Sequence, residues 1–166
     1  MPSGMHQVEV ELPINKIWNF VKDMDNWAPL IPGYIQHRKI TNRQSTWEFY
    51  SNIGIIKKRI NLMATIQEWI EPTRVTFNLK GLNEELSGGG YFLAEVIDKN
   101  KTRITGFLEI NAGGALGPLV NEVLKSYLPK VTEEMTIGIA TKLQELKKGQ
   151  SSVTLKNQGA DTKGSL

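Results

Sequence analysis

The sequence predicts an α+β domain: a seven-stranded, curved antiparallel sheet wrapped around one long C-terminal helix, with two short helices after the first strand. Three observations carry this expectation. Apolar residues alternate with period two from Tyr34 to Ala112, they recur at three and four from Leu116 to Lys148, and helical spacing follows the first strand between Pro13 and Pro32. A length of 166 residues suits one domain, assigned to 1–148, with 149–166 as a polar, disordered tail.

The first strand is marked by His6, Val8, Val10 and Leu12 on one face and Met5, Gln7, Glu9 and Glu11 on the other. Residues 1–4 precede that alternation and read as an appendage. Pro13 suits a first helical turn, after which Ile14, Ile17, Trp18 and Val21 form one buried stripe. Met24 to Pro32 reads as a short helical turn ending at Pro29 or Pro32.

Six further strands are separated by turn signals at Asn42, Gly54, Glu71-Pro72, Gly81 and Asp98 to Lys101. In the clearest, Ile56, Ile60, Leu62, Ala64, Ile66 and Ile70 share the core face, which Lys58 near its start and Glu68 near its end also occupy. Lys58 then reaches the mouth of the interior, and Glu68 snorkels to solvent. In the other strands Trp47, Phe49 and Ser51, then Val75, Phe77 and Leu79, then Phe92, Ala94 and Val96, then Ile104, Gly106, Leu108 and Ile110 point inward. The last helix is interrupted by Pro129, which predicts a kink or break, and Gly138 allows flexibility or close packing.

Composition excludes several classes. With no cysteine there is no disulfide framework, thiolate metal site or cysteine nucleophile, which fits a reducing cytoplasm. A net charge of +3 is an ordinary mixed surface rather than a nucleic-acid footprint. No apolar run approaches the roughly 20 residues of a bilayer span, and the first residues lack a secretory pattern.

Catalytic and metal-binding signals are sparse, and no residue is assigned to either role. The two histidines, His6 and His37, have no partners at metal-ligand spacing. Glu84-Glu85 and Glu133-Glu134 are adjacent in sequence and point in different directions. Gly88-Gly89-Gly90 has no following lysine or helix to make a phosphate loop, and reads instead as a site of sheet curvature.

The stretches WAPLIPGY (27–34), GGGYFLAEV (88–96) and NAGGALGPLVNEVL (111–124) resemble the carbon monoxide dehydrogenase G-subunit family, within the START-like and polyketide-cyclase (SRPBCC) superfamily. The resemblance spans residues 5–146 and implies a helix-grip fold. It further implies a role accessory to a molybdenum oxidoreductase, with no cofactor of the chain's own.

A sheet gripping one helix leaves room for an apolar ligand. Trp47, Phe49, Leu62, Phe77, Phe92, Leu108, Leu119, Val123, Tyr127 and Val131 are expected to line that space, with Trp27, Leu30 and Ile31 as a lid and Lys58 as a polar anchor. The same side chains could instead fill the interior completely. Three functions stay open. A non-enzymatic carrier would take a quinone, lipid or polycyclic compound, and Arg38, Lys39, Lys57, Lys58 and Arg59 could bring it to the inner face of a membrane. A cyclase or dehydratase would use Tyr50, Tyr91 or Tyr127 as proton donors. A purely structural protein would dock on an oxidoreductase through its outer helix face or tail.

Overall fold

The computed structural model describes the backbone of residues 1–53 and 56–164 and the side chains of residues 1–52 and 57–149. Strands β1 (Ser3–Val10), β2 (Tyr34–Lys39), β3 (Gln44–Ile53), β4 (Ile56–Ile70), β5 (Arg74–Gly81), β6 (Leu86–Asp98) and β7 (Lys101–Ala112) form one antiparallel sheet in the order β1-β7-β6-β5-β4-β3-β2. Helix α1 (Ile14–Val21) and two 3-10 turns, Met24–Asn26 and Ala28–Leu30, connect β1 to β2, and α2 (Gly117–Gly164) follows β7. The segment read as the second short helix is thus a pair of 3-10 turns; Pro29 within it cannot donate to a continuous α-helical ladder. Gly54, read as a turn, and the side chain of Ile56, read as inward, lie outside the described residues.

Strands β2 to β7 form a meander, and β1 closes the other edge by pairing with β7 from Ser3↔Glu109 to Val10↔Thr102. The first residues belong to the fold rather than preceding it. Pro2 accepts a hydrogen bond from Ile110 N–H at 3.1 Å, and Gly4 is buried against α2.

Two glycines set how closely α2 approaches. A Cβ on Gly4 would collide with the Leu128 carbonyl oxygen and stand 2.7 Å from Pro129 N, and one on Gly106 would stand 2.7 Å from Thr136 Oγ1. The backbone of β1 therefore meets helix backbone, and that of β7 meets the Thr136 side chain, where the two strands carry the helix. The helix runs unbroken through Pro129. In the turn beyond it Thr132 Oγ1 donates to the carbonyls of Leu128 (3.0 Å) and Pro129 (3.1 Å). The backbone continues helically beyond Lys148, where the apolar stripe ends, to Gly164, with no proline to stop it. The side chains of the tail from residue 150 onward lie outside the described residues.

The tightly packed core occupies only one end of the domain. Val10, Ile17, Phe20, Val21, Ala94, Ile104, Ile139, Ala140 and Leu143 form one buried cluster that joins β1, β6 and β7 to α1 and the far half of α2. Ile17, Ile104 and Val10 are completely excluded from solvent, which is the behaviour of a filled interior.

Candidate functional site

The other half of the concave face is hollow. Phe49, Ile60, Ile66, Val75, Phe77, Leu79, Phe92 and Leu108 point inward from β3 to β7 yet are only half-buried. The reason is positional: α2 rides on β1 and β7, at one side of the sheet, and the curvature of β3 to β6 carries their inner faces around empty space. That space is a cavity of about 700 Å³, closed on the helix side by Val120, Leu124, Tyr127, Leu128, Val131 and Met135.

The hydroxyls of Ser45, Thr132 and Thr136 inside it are already engaged. Ser45 Oγ accepts the Trp47 indole N–H at 2.8 Å, and Thr136 Oγ1 donates to the Thr132 carbonyl at 2.6 Å. Such groups offer a ligand little hydrogen bonding, so apolar contact is what the interior provides. Tyr127 is the interior titratable hydroxyl; burial, and then the negative charge of Glu134, raise its pKa above the ordinary phenol value. It is therefore a neutral phenol at physiological pH.

Charge collects at the mouth. Lys57 and Lys58 at the start of β4, Glu84 and Glu85 in the turn after β5, and Gly113 to Leu116 before α2 line the opening. Lys58 forms an ion pair with Glu84 while its side chain stays 51% exposed. The lysine predicted as an anchor is thus at the rim, with its charge balanced by a residue of the neighbouring turn.

The opposite wall is an aromatic lid. Trp27 and Trp47 stack with ring centroids 5.6 Å apart, and the His37 ring stacks on Trp47 at 4.6 Å. His37 in turn bridges the lid to the sheet edge. Its Nε2 lies 2.9 Å from Asp25 Oδ1 in the first 3-10 turn, and its Nδ1 is 2.6 Å from the Tyr34 hydroxyl. Trp27 Nε1–H donates to the Val21 carbonyl at 2.8 Å, which fixes the lid to the end of α1.

Of the residues expected at the site, Trp27, Ile31, Trp47, Phe49, Lys58, Leu62, Phe77, Phe92, Leu108, Tyr127 and Val131 all line this cavity. Leu30, Leu119 and Val123 do not. Leu30 turns to the other side of α2, packing on the core cluster and against Gly138, where a Cβ would come within 3.8 Å of Leu30 Cβ. Gly138 therefore serves as a seat for a side chain. Leu119 is 50% exposed because the buried positions Leu124, Leu128, Val131 and Ile139 set the rotation of α2, and Leu119 and Val123 fall beside that stripe.

Trp69 is the cavity residue that strict alternation hides. A register shift between Ile66 and Glu68 makes Gln67 an extra residue, and beyond it every side chain changes face. Trp69 turns to the cavity and meets Trp18 edge-on at 5.2 Å, while Ile70 is 42% exposed. Glu68 moves to the outer face, where it contacts Arg74 and Thr76, instead of snorkelling from the core. The signal was present in the sequence: a glutamate at an apolar register position marks a slipped register. Val96, read as inward, is 62% exposed at the last pair before a second irregularity.

Glu71 lies outside the cavity and is tied to its wall through Trp69. Its Oε1 accepts the Trp69 indole N–H at 3.1 Å, and that bond, the nearby Trp18 indole N–H and the Lys22 charge hold its pKa below the ordinary carboxylate value. A folded pKa below the unfolded one means stability that is present above the unfolded value, about 4.3, and lost as pH falls through the folded value. Glu71→Gln is expected to make the acid limb of a stability–pH curve less steep below about pH 4.3. Urea titrations from pH 6 to 3 check this, and superimposable limbs refute it.

Fold and cavity together define a START-like helix-grip domain. One family model matches residues 1–148, and the chain belongs to that family; its fold is shared with START and aromatase/cyclase structures. Among solved structures, the domain is similar to a conserved protein from Geobacillus kaustophilus, at 14% identity and a TM-score of 0.73, covering 86% of this chain and 95% of that one. It is also similar to a START superfamily protein from Mycobacterium smegmatis, at 17% identity and a TM-score of 0.60 over 87% and 98% of the two chains. Likeness extends to the Zhui aromatase/cyclase of a Streptomyces species, at 11% identity and a TM-score of 0.65 over 86% and 93%. No curated protein matches the sequence. No described helix is long and apolar enough to cross a membrane.

Proposed function

We propose that the protein is a non-enzymatic carrier that holds a lipophilic small molecule, such as an isoprenoid quinone, a lipid or a polycyclic compound, between the sheet and α2. The observation that carries this reading is the half-empty concave face. Its apolar walls enclose about 700 Å³, and its serine and threonine hydroxyls are spent on the protein's own groups. Burial of ligand area at about 25 cal/mol per Å² supplies the affinity. Lys58 at the rim receives a polar head by exchanging its Glu84 partner for the ligand.

The likeness of residues 27–34 and 111–124 to the carbon monoxide dehydrogenase G-subunit family supports a cytoplasmic protein that serves a molybdenum oxidoreductase, at or near the inner face of the membrane. Nucleic acid has no part in this reading.

A second reading, a cyclase or dehydratase, is favoured by the aromatase/cyclase neighbour and by Tyr127, whose neutral phenol faces the cavity as a proton donor. Acid–base chemistry usually needs a second group in reach, and among the described residues Tyr127 has no hydrogen-bond partner. Native mass spectrometry of the protein purified without detergent, followed by titration with cis-parinaric acid, tests the carrier. A co-purifying lipophile and saturable one-to-one binding are expected. Neither, together with turnover of a polyketide thioester that Tyr127→Phe abolishes, would replace it with the enzyme.

A further inference from the structure

The cavity has a second end, where polar groups gather that the charged mouth does not use. The mouth lies at the start of β4; at the other end of that strand Trp69 lines the cavity together with Val21, Lys22 and Met24, which come from the end of α1 and the first 3-10 turn. Trp69 is 38% exposed and Lys22 is exposed as well, so the cavity approaches solvent here too.

Three donors converge at this end on one carboxylate. The Trp69 indole N–H donates to Glu71 Oε1 at 3.1 Å, and the Lys22 ammonium and the Trp18 indole N–H act on the same carboxylate from the side of α1. Trp18 is only 4% exposed, and its Nε1, shut off from solvent, completes no hydrogen bond among the described residues. A buried donor left in that state is costly, and it marks a place where an acceptor belongs. Lys22 forms no ion pair among the described residues. The acids that follow it in the chain are committed elsewhere: Asp23 accepts the Asp25 N–H at 3.0 Å, and Asp25 pairs with His37.

We infer that Trp18, Trp69 and Lys22 form a receptor for the carboxylate head of a lipophilic acid, with Glu71 as the chain's own occupant, displaced when the acid binds. This rests on the carrier reading above and names the ligand class. The present occupant identifies the chemistry. An indole N–H is a donor only, and a carboxylate offers an acceptor oxygen to each of the two. Exchange of one carboxylate for another also leaves the charge beside Lys22 unchanged, whereas a neutral head would strip the ammonium of its counter-charge. Glu71 is free to leave, because it is exposed and stands in the turn between β4 and β5. The tail of the acid then runs past Trp69 into the apolar cavity, where burial of its surface supplies the affinity.

Fluorescence titrations with cis-parinaric acid and with its methyl ester at pH 8, where the acid is ionised, test the proposal. Removing the competing charge in Glu71→Gln is expected to tighten acid binding about tenfold and to change ester binding less than about twofold. Adding Lys22→Met to that variant should take back about fivefold of the gain, again with the ester unaffected. Three results overturn the receptor: acid affinity unchanged in Glu71→Gln, acid and ester tightening in parallel, or a gain that survives Lys22→Met. In the last case, loss of the gain on adding Lys58→Met instead places the head at the mouth. Each of these leaves the ester bound and the carrier standing. If neither probe binds any of the proteins, the carrier falls and the receptor with it.

Discussion

Ala64→Trp is expected to abolish uptake of a lipophilic ligand while the fold stays as stable as before. Ala64 sits in the middle of β4 between its partners Ser45 and Leu79, on the concave face, where its side chain ends in the cavity. An indole there fills space the ligand needs, and a hundredfold loss of affinity, about 2.7 kcal/mol, is the minimum expected. The stability measurement makes the result decisive. In a close-packed core the same change forces neighbours off their rotamers and costs about 1–3 kcal/mol, whereas in an empty cavity the new ring gains contacts. Parinaric acid titration beside urea denaturation therefore separates a binding chamber from a filled interior. A destabilised variant that still binds refutes the chamber.

The opposite signature is expected at Gly4→Val. The glycine sits where β1 passes directly over the Leu128 carbonyl and Pro129 N, and both are backbone atoms that cannot swing away as a side chain would. A branched side chain must lift α2 from β1, separating Val10 and Ile104 from Ile139 and Leu143 in the packed end. A loss of about 3 kcal/mol is expected, the upper end of the range for overpacking, because the atoms met are backbone. Denaturant midpoints measure it, and a change within about 0.5 kcal/mol, typical of surface sites, refutes the contact's importance.

Architecture was legible because periodicity is a local signal. Residues 34–112 alternate and 116–148 repeat at three and four whatever surrounds them, so the strand count, the strand order of the meander and the final helix follow directly. Features that depend on distant contacts were not. The bulge at Gln67 adds one residue and reverses the faces of Glu68, Trp69 and Ile70, which alternation cannot anticipate except through the misplaced charge of Glu68. The stripe on α2 is wide enough to include both Leu119 and Leu124, and only the glycine contacts with β1 and β7 decide which of them faces inward. Leu30 went astray for a related reason: its destination, Gly138, is more than a hundred residues away. Neither the hollow half of the interior nor the pairing of Lys58 with Glu84 has a local sequence signature, because both arise from where α2 leaves the sheet uncovered.

The aromatic arrangement also determines what light can report about this molecule. The chain has four tryptophans; Trp27, Trp47 and Trp69 border the chamber, and Trp18 touches Trp69. No indole therefore lies wholly apart from the chamber, and ultraviolet emission and near-ultraviolet dichroism are in effect spectra of its walls. The protein carries its own optical readout of occupancy, with Trp27 and Trp47 stacked in the lid as its most direct element. Loosening of the distal half of α2 would go largely unseen by the same light, so thermal curves followed by fluorescence describe the chamber first and the molecule second.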